Sequence, residues 1–246
     1  GSRVTKTDLS ERGHTVVELE RGSLEAKIWK DIKRKRVRIP DLVCTCCGQR
    51  VEVRTKSDTK LSMSHSPTIP ERGWDYGMVA NDLIAMPICK EEPSHELTVS
   101  THWTRGILSG GTSYWNEKEW VRWRHVGAVN YFTVAAFRGV LPDKTVKKGQ
   151  DEGSETTLIW RSCFAPCDGI VAEISPANLM ITDATGDRYR RGRKDLVALV
   201  AVGESVVLNQ VVACMVTPTV GGALECGGML NATGIAAMLT DTPGLY

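Results

Sequence analysis

A chain of 246 residues, 41% apolar and 24% charged, can build one large core or two modest ones, which excludes wholesale disorder. Its 31 basic and 29 acidic residues leave a formal charge of +2, which excludes a polycation that coats nucleic acid by net charge alone. No run approaches the roughly 20 apolar residues that span a bilayer and no secretory signal opens the chain, so a cytoplasmic protein without a membrane partner is expected. The eight cysteines are irregularly spaced and read as reduced thiols rather than a disulfide scaffold.

The leading Gly1-Ser2 reads as a cloning remnant. A helical pattern starts at Ser23, a good N-cap, with Leu24, Ile28 and Ile32 at helical spacing, and it must stop before Pro40. Lys33, Arg34 and Arg36 crowd the end of this segment and can neutralise phosphates; a solvated helix face is the alternative. Leu42-Val43-Cys44 and Val51 to Lys56, around a glycine-containing turn, predict a β-hairpin. Residues 57–77 read as a loop or lid, and Leu83 to Cys89 as a buried strand. Tyr114 to Arg124 reads as an aromatic-rich helix carrying Trp115, Trp120 and Trp123, either core packing or a base-stacking surface. Periodicity leaves Val129 to Phe137 open between strand and helix, and residues 143–157 have the composition of a linker.

Beyond the linker, short β-branched runs follow glycine turns: Asp168-Gly169-Ile170-Val171, Leu179-Met180-Ile181, Leu196 to Ala201, Gly203-Glu204-Ser205-Val206 and Val211 to Met215. Such spacing predicts a compact all-β module over 158–218. Between its halves lie Arg190, Arg191 and Arg193, either a grip on a nucleic-acid backbone or a solvated hairpin tip. Residues 219–246 read as a Gly-rich tail leading into a missing C-terminal region, which is the expected intramolecular partner.

Two resemblances attach to these patterns. Ile39-Pro40-Asp41-Leu42-Val43 followed by Val51-Glu52-Val53-Arg54 resembles the core motif of the PD-(D/E)XK nucleases. The resemblance implies an N-terminal domain over 1–142 with a restriction-endonuclease-like α+β or α/β fold, a mixed sheet with flanking helices. It further implies Asp41 and Glu52 as ligands of Mg²⁺ or Mn²⁺, Glu25 as an accessory acid, and metal-assisted cleavage of DNA, with a restriction or defence setting by analogy. Alternation along a strand puts Glu52, Arg54 and Lys56 on one face whatever the family. The family's lysine position holds Arg54, and lysine appears only at Lys56. Arginine cannot readily exchange a proton, so a catalytically degenerate scaffold or interaction module is the competing expectation. The glycine-turn repeat of 158–218 resembles the biotinyl/lipoyl-like barrel-sandwich hybrid, although Lys194 lacks the context of a modified carrier lysine.

Cys44-Thr45-Cys46-Cys47-Gly48 looks like half a zinc ribbon without a matching second half. Cys89, His65, His95, His102 and the pair Cys163 and Cys167 are the nominal partners, and incidental thiols in a hairpin are the favoured alternative to zinc at Cys44 and Cys47.

Overall fold

The structure is a computed structural model that describes residues 1–19, 40–70, 73–93, 121–147, 155–219 and 224–228. Among the described residues 45% are in strands and 10% in helix, with two helices and several separate sheets. This corrects the restriction-endonuclease-like α+β expectation: the chain is β-rich. The correction has a local cause. Val129 to Phe137 was compatible with either a strand or a helix, and thirteen residues, Val121–Thr133, form one long strand there, leaving only Val134–Arg138 helical. The helix predicted from Ser23 and the residues Trp115 and Trp120 lie outside the described residues.

Helix α1 (Ser2–Glu11) leads into β1 (Val16–Glu18), then β2 (Leu42–Cys44) and β3 (Arg50–Val53) form the predicted hairpin. Strand β4 (Leu61–His65) occupies part of the segment read as a loop or lid. Strands β5 (Leu83–Pro93) and β6 (Val121–Thr133) complete a five-stranded sheet of order β1-β2-β3-β5-β6. All its neighbours are antiparallel except β3 and β5, which run parallel with Glu52 opposite Ile84. After helix α2 (Val134–Arg138) come β7 (Lys144–Lys147) and β8 (Thr156–Trp160), and β8 pairs with both β4 and β7 in a three-stranded sheet of order β4-β8-β7. Strand β7 lies within the range read as a linker.

Alternation along the strands gives the five-stranded sheet two apolar faces. Leu42, Val51, Leu83, Ala85 and Tyr131 face Leu9 of α1, Val16 and Leu224. On the other side Ile84, Met86, Ile88 and Phe132 pack with Leu61, Met63, Trp74, Phe137, Trp160 and Val211. Phe137 is the hub of this second core, with ring centroids 4.8 Å from Trp160 and 5.1 Å from Phe132.

Residues 162–214 supply two small sheets. One has the order β12-β11-β10-β14, built from Gly169–Ile174 (β10), Asn178–Thr182 (β11), Arg188–Gly192 (β12) and Ser205–Val206 (β14). The other has the order β13-β15-β9, from Ser162–Phe164 (β9), Val197–Ala198 (β13) and Val211–Cys214 (β15). Val171, Leu179, Ile181, Val206 and Val212 form their common core. Phe164, Val211, Cys214 and Val216 also join the core that contains Trp160, so both halves of the chain share apolar packing. Buried Asn130 seals the junction: its side chain donates to Asn209 O (2.9 Å) and accepts from Val211 N (2.9 Å). Asn209 donates in turn to Val126 O (2.7 Å). Gly127, at φ 77°, passes so close that a Cβ there would sit 1.9 Å from Leu208 O, a contact only glycine permits.

Candidate metal centre

Three segments distant in sequence meet beside α1. The first is the end of that helix. His14 N bonds Leu9 O (3.0 Å) and Gly13 N bonds Ser10 O (3.0 Å), with Gly13 at φ 85°, which is the Schellman arrangement that stops a helix on a left-handed glycine. Asp8 anchors the helix by accepting from Tyr131 Oη (2.7 Å) and from Arg12 Nε (3.0 Å), so the position of His14 is fixed from both sides.

The second segment is the turn of the β2–β3 hairpin. Gly48 N bonds Cys44 O (2.8 Å) and Cys44 N bonds Gln49 O (2.9 Å), folding Cys44 to Cys47 into a knuckle with Gly48 at φ 77°. The third is Leu224 to Gly228. Thr219 N bonds Tyr131 O (2.7 Å) at the edge of the five-stranded sheet, Leu224 enters the core beside Leu9, and Cys226 N reaches Arg12 O (3.4 Å).

These segments bring His14, Cys44, Cys47 and Cys226 together with all four ligand atoms within 4.8 Å of one another. Among the described residues this is the one grouping of three or more His, Cys, Asp or Glu side chains able to hold a metal ion. His14 and Cys44 are buried, 6% and 2% exposed. His14 Nε2 lies 2.6 Å from Leu224 O, which can only accept, so Nε2 carries the proton and Nδ1 offers its lone pair to the cluster. Nδ1 is 3.6 Å from Cys47 Sγ, and Cys44 Sγ is 4.0 Å from Cys226 Sγ.

Backbone N–H groups support each sulfur: Cys46 and Cys47 donate to Cys44, Gln49 to Cys47, and Gly228 to Cys226. Burial opposes ionisation of Cys44, but these donors and His14 outweigh it and lower its pKa. The Gly228 N–H does the same for Cys226. Cys47 takes the opposite course: burial first, then hydrogen bonding with Cys44 and Cys226, pushes its thiol up to about 12. Three sulfurs this close cannot all ionise against one another, and a bound cation removes that conflict.

The predicted acidic pair lies at the other end of the same hairpin. Leu42 pairs with Val51, and Asp41, which precedes β2, accepts through Oδ2 from Val53 N at 2.7 Å, next to Glu52 in the chain. Glu52 is 5% exposed, and its Oε1 lies 2.9 Å from Arg54 Nη2. The parallel pairing with β5 continues through the Lys56–Ile88 bridge, so Glu52, Arg54 and Lys56 follow one side of the ladder. Lys56 Nζ donates to Ser62 O and to Ser62 Oγ (3.1 Å), and burial pulls its pKa down to about 8, partly opposed by Asp58. Glu25, Lys33, Arg34 and Arg36 lie outside the described residues. Arg190 and Arg191 stand on strand β12 rather than on a hairpin tip, Arg190 exposed and Arg191 half-buried with Nε donating to Phe164 O (3.3 Å). Arg193 follows the strand and its Nη1 donates to Ser175 O (2.7 Å). Trp123 is 56% exposed, on a strand rather than a helix.

Among the described nominal partners of the half-ribbon, Cys89, His65, Cys163 and Cys167 do not join the cluster, and His14 and Cys226 do; His95 and His102 lie outside the described residues. The available signals were small. Cys226-Gly227 repeats the Cys-Gly ending of the knuckle, and Gly13-His14 reads as a helix stop followed by a ligand. Comparison with protein families, curated proteins and solved structures finds no match for this chain.

Lys56 yields a pH test. A lysine whose folded pKa is about 8 instead of 10.5 binds more protons unfolded than folded between those values, so stability rises with pH across that window. Relative to Lys56→Met, the wild type should gain about 2–3 kcal/mol from pH 8 to pH 10.5, with no change below 8. Urea midpoints of the two proteins across this range measure it, and a constant difference contradicts it.

Proposed function

We propose that this chain is a zinc-stapled binding module in which His14, Cys44, Cys47 and Cys226 hold one structural Zn²⁺. The carrying observation is the four-ligand set drawn from three chain segments, with an N–H donor on every sulfur. Around a tetrahedral zinc with Zn–S near 2.3 Å and Zn–N near 2.0–2.1 Å, sulfurs lie ~3.8 Å apart and sulfur and nitrogen ~3.5 Å apart. The distances of 4.0 Å between Cys44 and Cys226 and 3.6 Å between Cys47 and His14 support that fit. Four protein ligands leave no open position for water or substrate, the arrangement of structural rather than catalytic zinc. The binding partner we assign is nucleic acid, met by the exposed Arg188 and Arg190 on alternate positions of the edge strand β12.

Purified protein should carry one zinc per chain, and removing it with a chelator should cost about 4 kcal/mol or more of stability in urea unfolding. Cys44→Ser should reproduce that loss without chelator. Metal-free protein with unchanged stability contradicts the reading.

A second reading, metal-dependent phosphodiester hydrolysis of DNA, draws on Asp41 accepting from Val53 N at the open end of the hairpin, beside Glu52. A hard cation such as Mg²⁺ between these carboxylates would have to displace Arg54 from Glu52. Lys56, with its pKa near 8, is better suited than Arg54 to exchange a proton. Arg54 holding Glu52 also favours the degenerate scaffold, and one assay separates the two. If the chain is a nuclease, plasmid cleavage with Mg²⁺ or Mn²⁺ falls at least ~100-fold in Asp41→Ala and in Glu52→Ala while DNA binding persists. Cleavage that is absent in wild type, or equal in the variants, removes the hydrolytic reading.

A further inference from the structure

Alternation along β4 sets Ser62 apart from its neighbours. Leu61 and Met63 are 1% and 2% exposed and belong to the core of Trp74 and Trp160, so Ser62 between them is turned to the other side of the strand, half-buried. Pairing with β8 fixes its place, with Ser62 opposite Ile159. Lys56 lies six residues earlier and belongs to the other sheet. Its N donates to Pro87 O (3.0 Å) and its O accepts from Cys89 N (2.8 Å), which clamps its backbone against β5. From there Lys56 Nζ reaches Ser62 Oγ at 3.1 Å and also bonds Ser62 O. A lysine ordinarily keeps its ammonium in water or against a carboxylate. Among the described residues, Lys56 Nζ bonds to Ser62 alone, and the acid that acts on it, Asp58, is itself paired with Lys60 at 3.3 Å. The other cations nearby are engaged elsewhere, Arg54 with Glu52 (2.9 Å) and Lys90 with Ser57 O (2.7 Å).

We propose that Ser62 and Lys56 form a serine–lysine dyad that hydrolyses carboxylic esters, with Ser62 Oγ the nucleophile and Lys56 Nζ the general base. A hydroxyl in hydrogen-bond contact with an amine is activated when that amine can give up its own proton. Burial supplies this condition by pulling the Lys56 pKa down to about 8, against the opposing charge of Asp58. The neutral amine accepts the hydroxyl proton as Oγ bonds to the ester carbonyl carbon. The carbonyl electrons move onto oxygen, and as they return the bond to the alcohol oxygen breaks. The Lys56 ammonium gives its proton to the departing alcohol and leaves an acyl group on Ser62. Water then attacks the acyl carbon, passing a proton to Lys56 Nζ, and Ser62 Oγ departs and takes that proton back. One ester and one water become one carboxylic acid and one alcohol, and the dyad returns to its starting protonation. The pair includes none of His14, Cys44, Cys47, Cys226, Asp41 or Glu52, so it is a different site from the metal cluster and from the acidic pair.

The test uses the full chain as purified, assayed with p-nitrophenyl acetate across a range of pH. In parallel the chain is labelled with a fluorophosphonate, which traps nucleophilic serines, and the labelled peptide is identified by mass spectrometry. The label should sit on Ser62, and kcat/KM should rise with pH and level off above an apparent pKa near 8. Ser62→Ala and Lys56→Met should each lose hydrolysis by about 100-fold or more, and Lys56→Met should also lose the label. Ser64→Ala, which removes an exposed hydroxyl two positions along β4, should behave as wild type. Circular dichroism checks that each variant is folded, and the position of the label in the wild type decides the question even where a variant is not. A wild-type chain that neither hydrolyses the ester nor takes the label overturns the dyad. So does a label on another residue, or a folded Ser62→Ala as active as the wild type.

Discussion

His14, Cys44, Cys47 and Cys226 crowd one point with three sulfurs and an imidazole, and the surrounding fold is arranged to tolerate that crowding. Without a cation the sulfurs compete for charge: the pKa values of Cys44 and Cys226 are drawn down while that of Cys47 is driven up. With a divalent ion the repulsion becomes attraction, and backbone donors already aimed at each sulfur share the charge. The ion would join residues 212 positions apart in sequence, from His14 to Cys226, and would do so beside a small apolar core built on Leu9, Leu42 and Leu224. That core has few large side chains, whereas the opposite face of the sheet is filled by Trp74, Phe132, Phe137 and Trp160. A staple held there would sit where hydrophobic burial is the weaker of the two supports.

The same constraint governs the hairpin. Its turn is closed by the knuckle, and its open end presents Asp41 and Glu52. Fixing the turn fixes the register Leu42–Val51 and Val43–Arg50, and that register decides which side chains share a face. Buried Arg50 adds a second restraint, its guanidinium held by Asp82 at 2.6 and 2.8 Å. Sequential charges along one side of β3 are thus partnered in order, Arg50 with Asp82 and Glu52 with Arg54, while Lys56 turns to Ser62. Asp41 and Glu52 therefore belong to a hairpin whose turn is the Cys44–Cys47 knuckle.

Short-range patterns in the sequence were good guides where one residue type enforced one geometry. Gly48 after the cysteines marked the β2–β3 turn, and the apolar run from Leu83 marked the buried strand β5. Runs that fit two periods were poor guides: Val129 to Phe137 turned out to be mostly the end of β6, and 57–77 holds β4 because Leu61 and Met63 alternate between polar neighbours that looked like loop. The metal cluster was half legible. Cys44 and Cys47 declare themselves by spacing, but His14 and Cys226 reach them only through a helix stop and a chain segment more than a hundred residues later. No local pattern encodes that meeting. The restriction-endonuclease-like fold expectation failed for the related reason that a hairpin motif constrains two strands and says little about the layers around them.

The most direct test of the central claim is X-ray absorption at the zinc K-edge of protein purified with its native metal. The account predicts a first shell of three sulfurs at about 2.3 Å and one nitrogen at about 2.0–2.1 Å, with outer-shell scattering from a single imidazole. A shell of oxygen and nitrogen alone, or one with two sulfurs and an open water position, would contradict a closed site formed by His14, Cys44, Cys47 and Cys226.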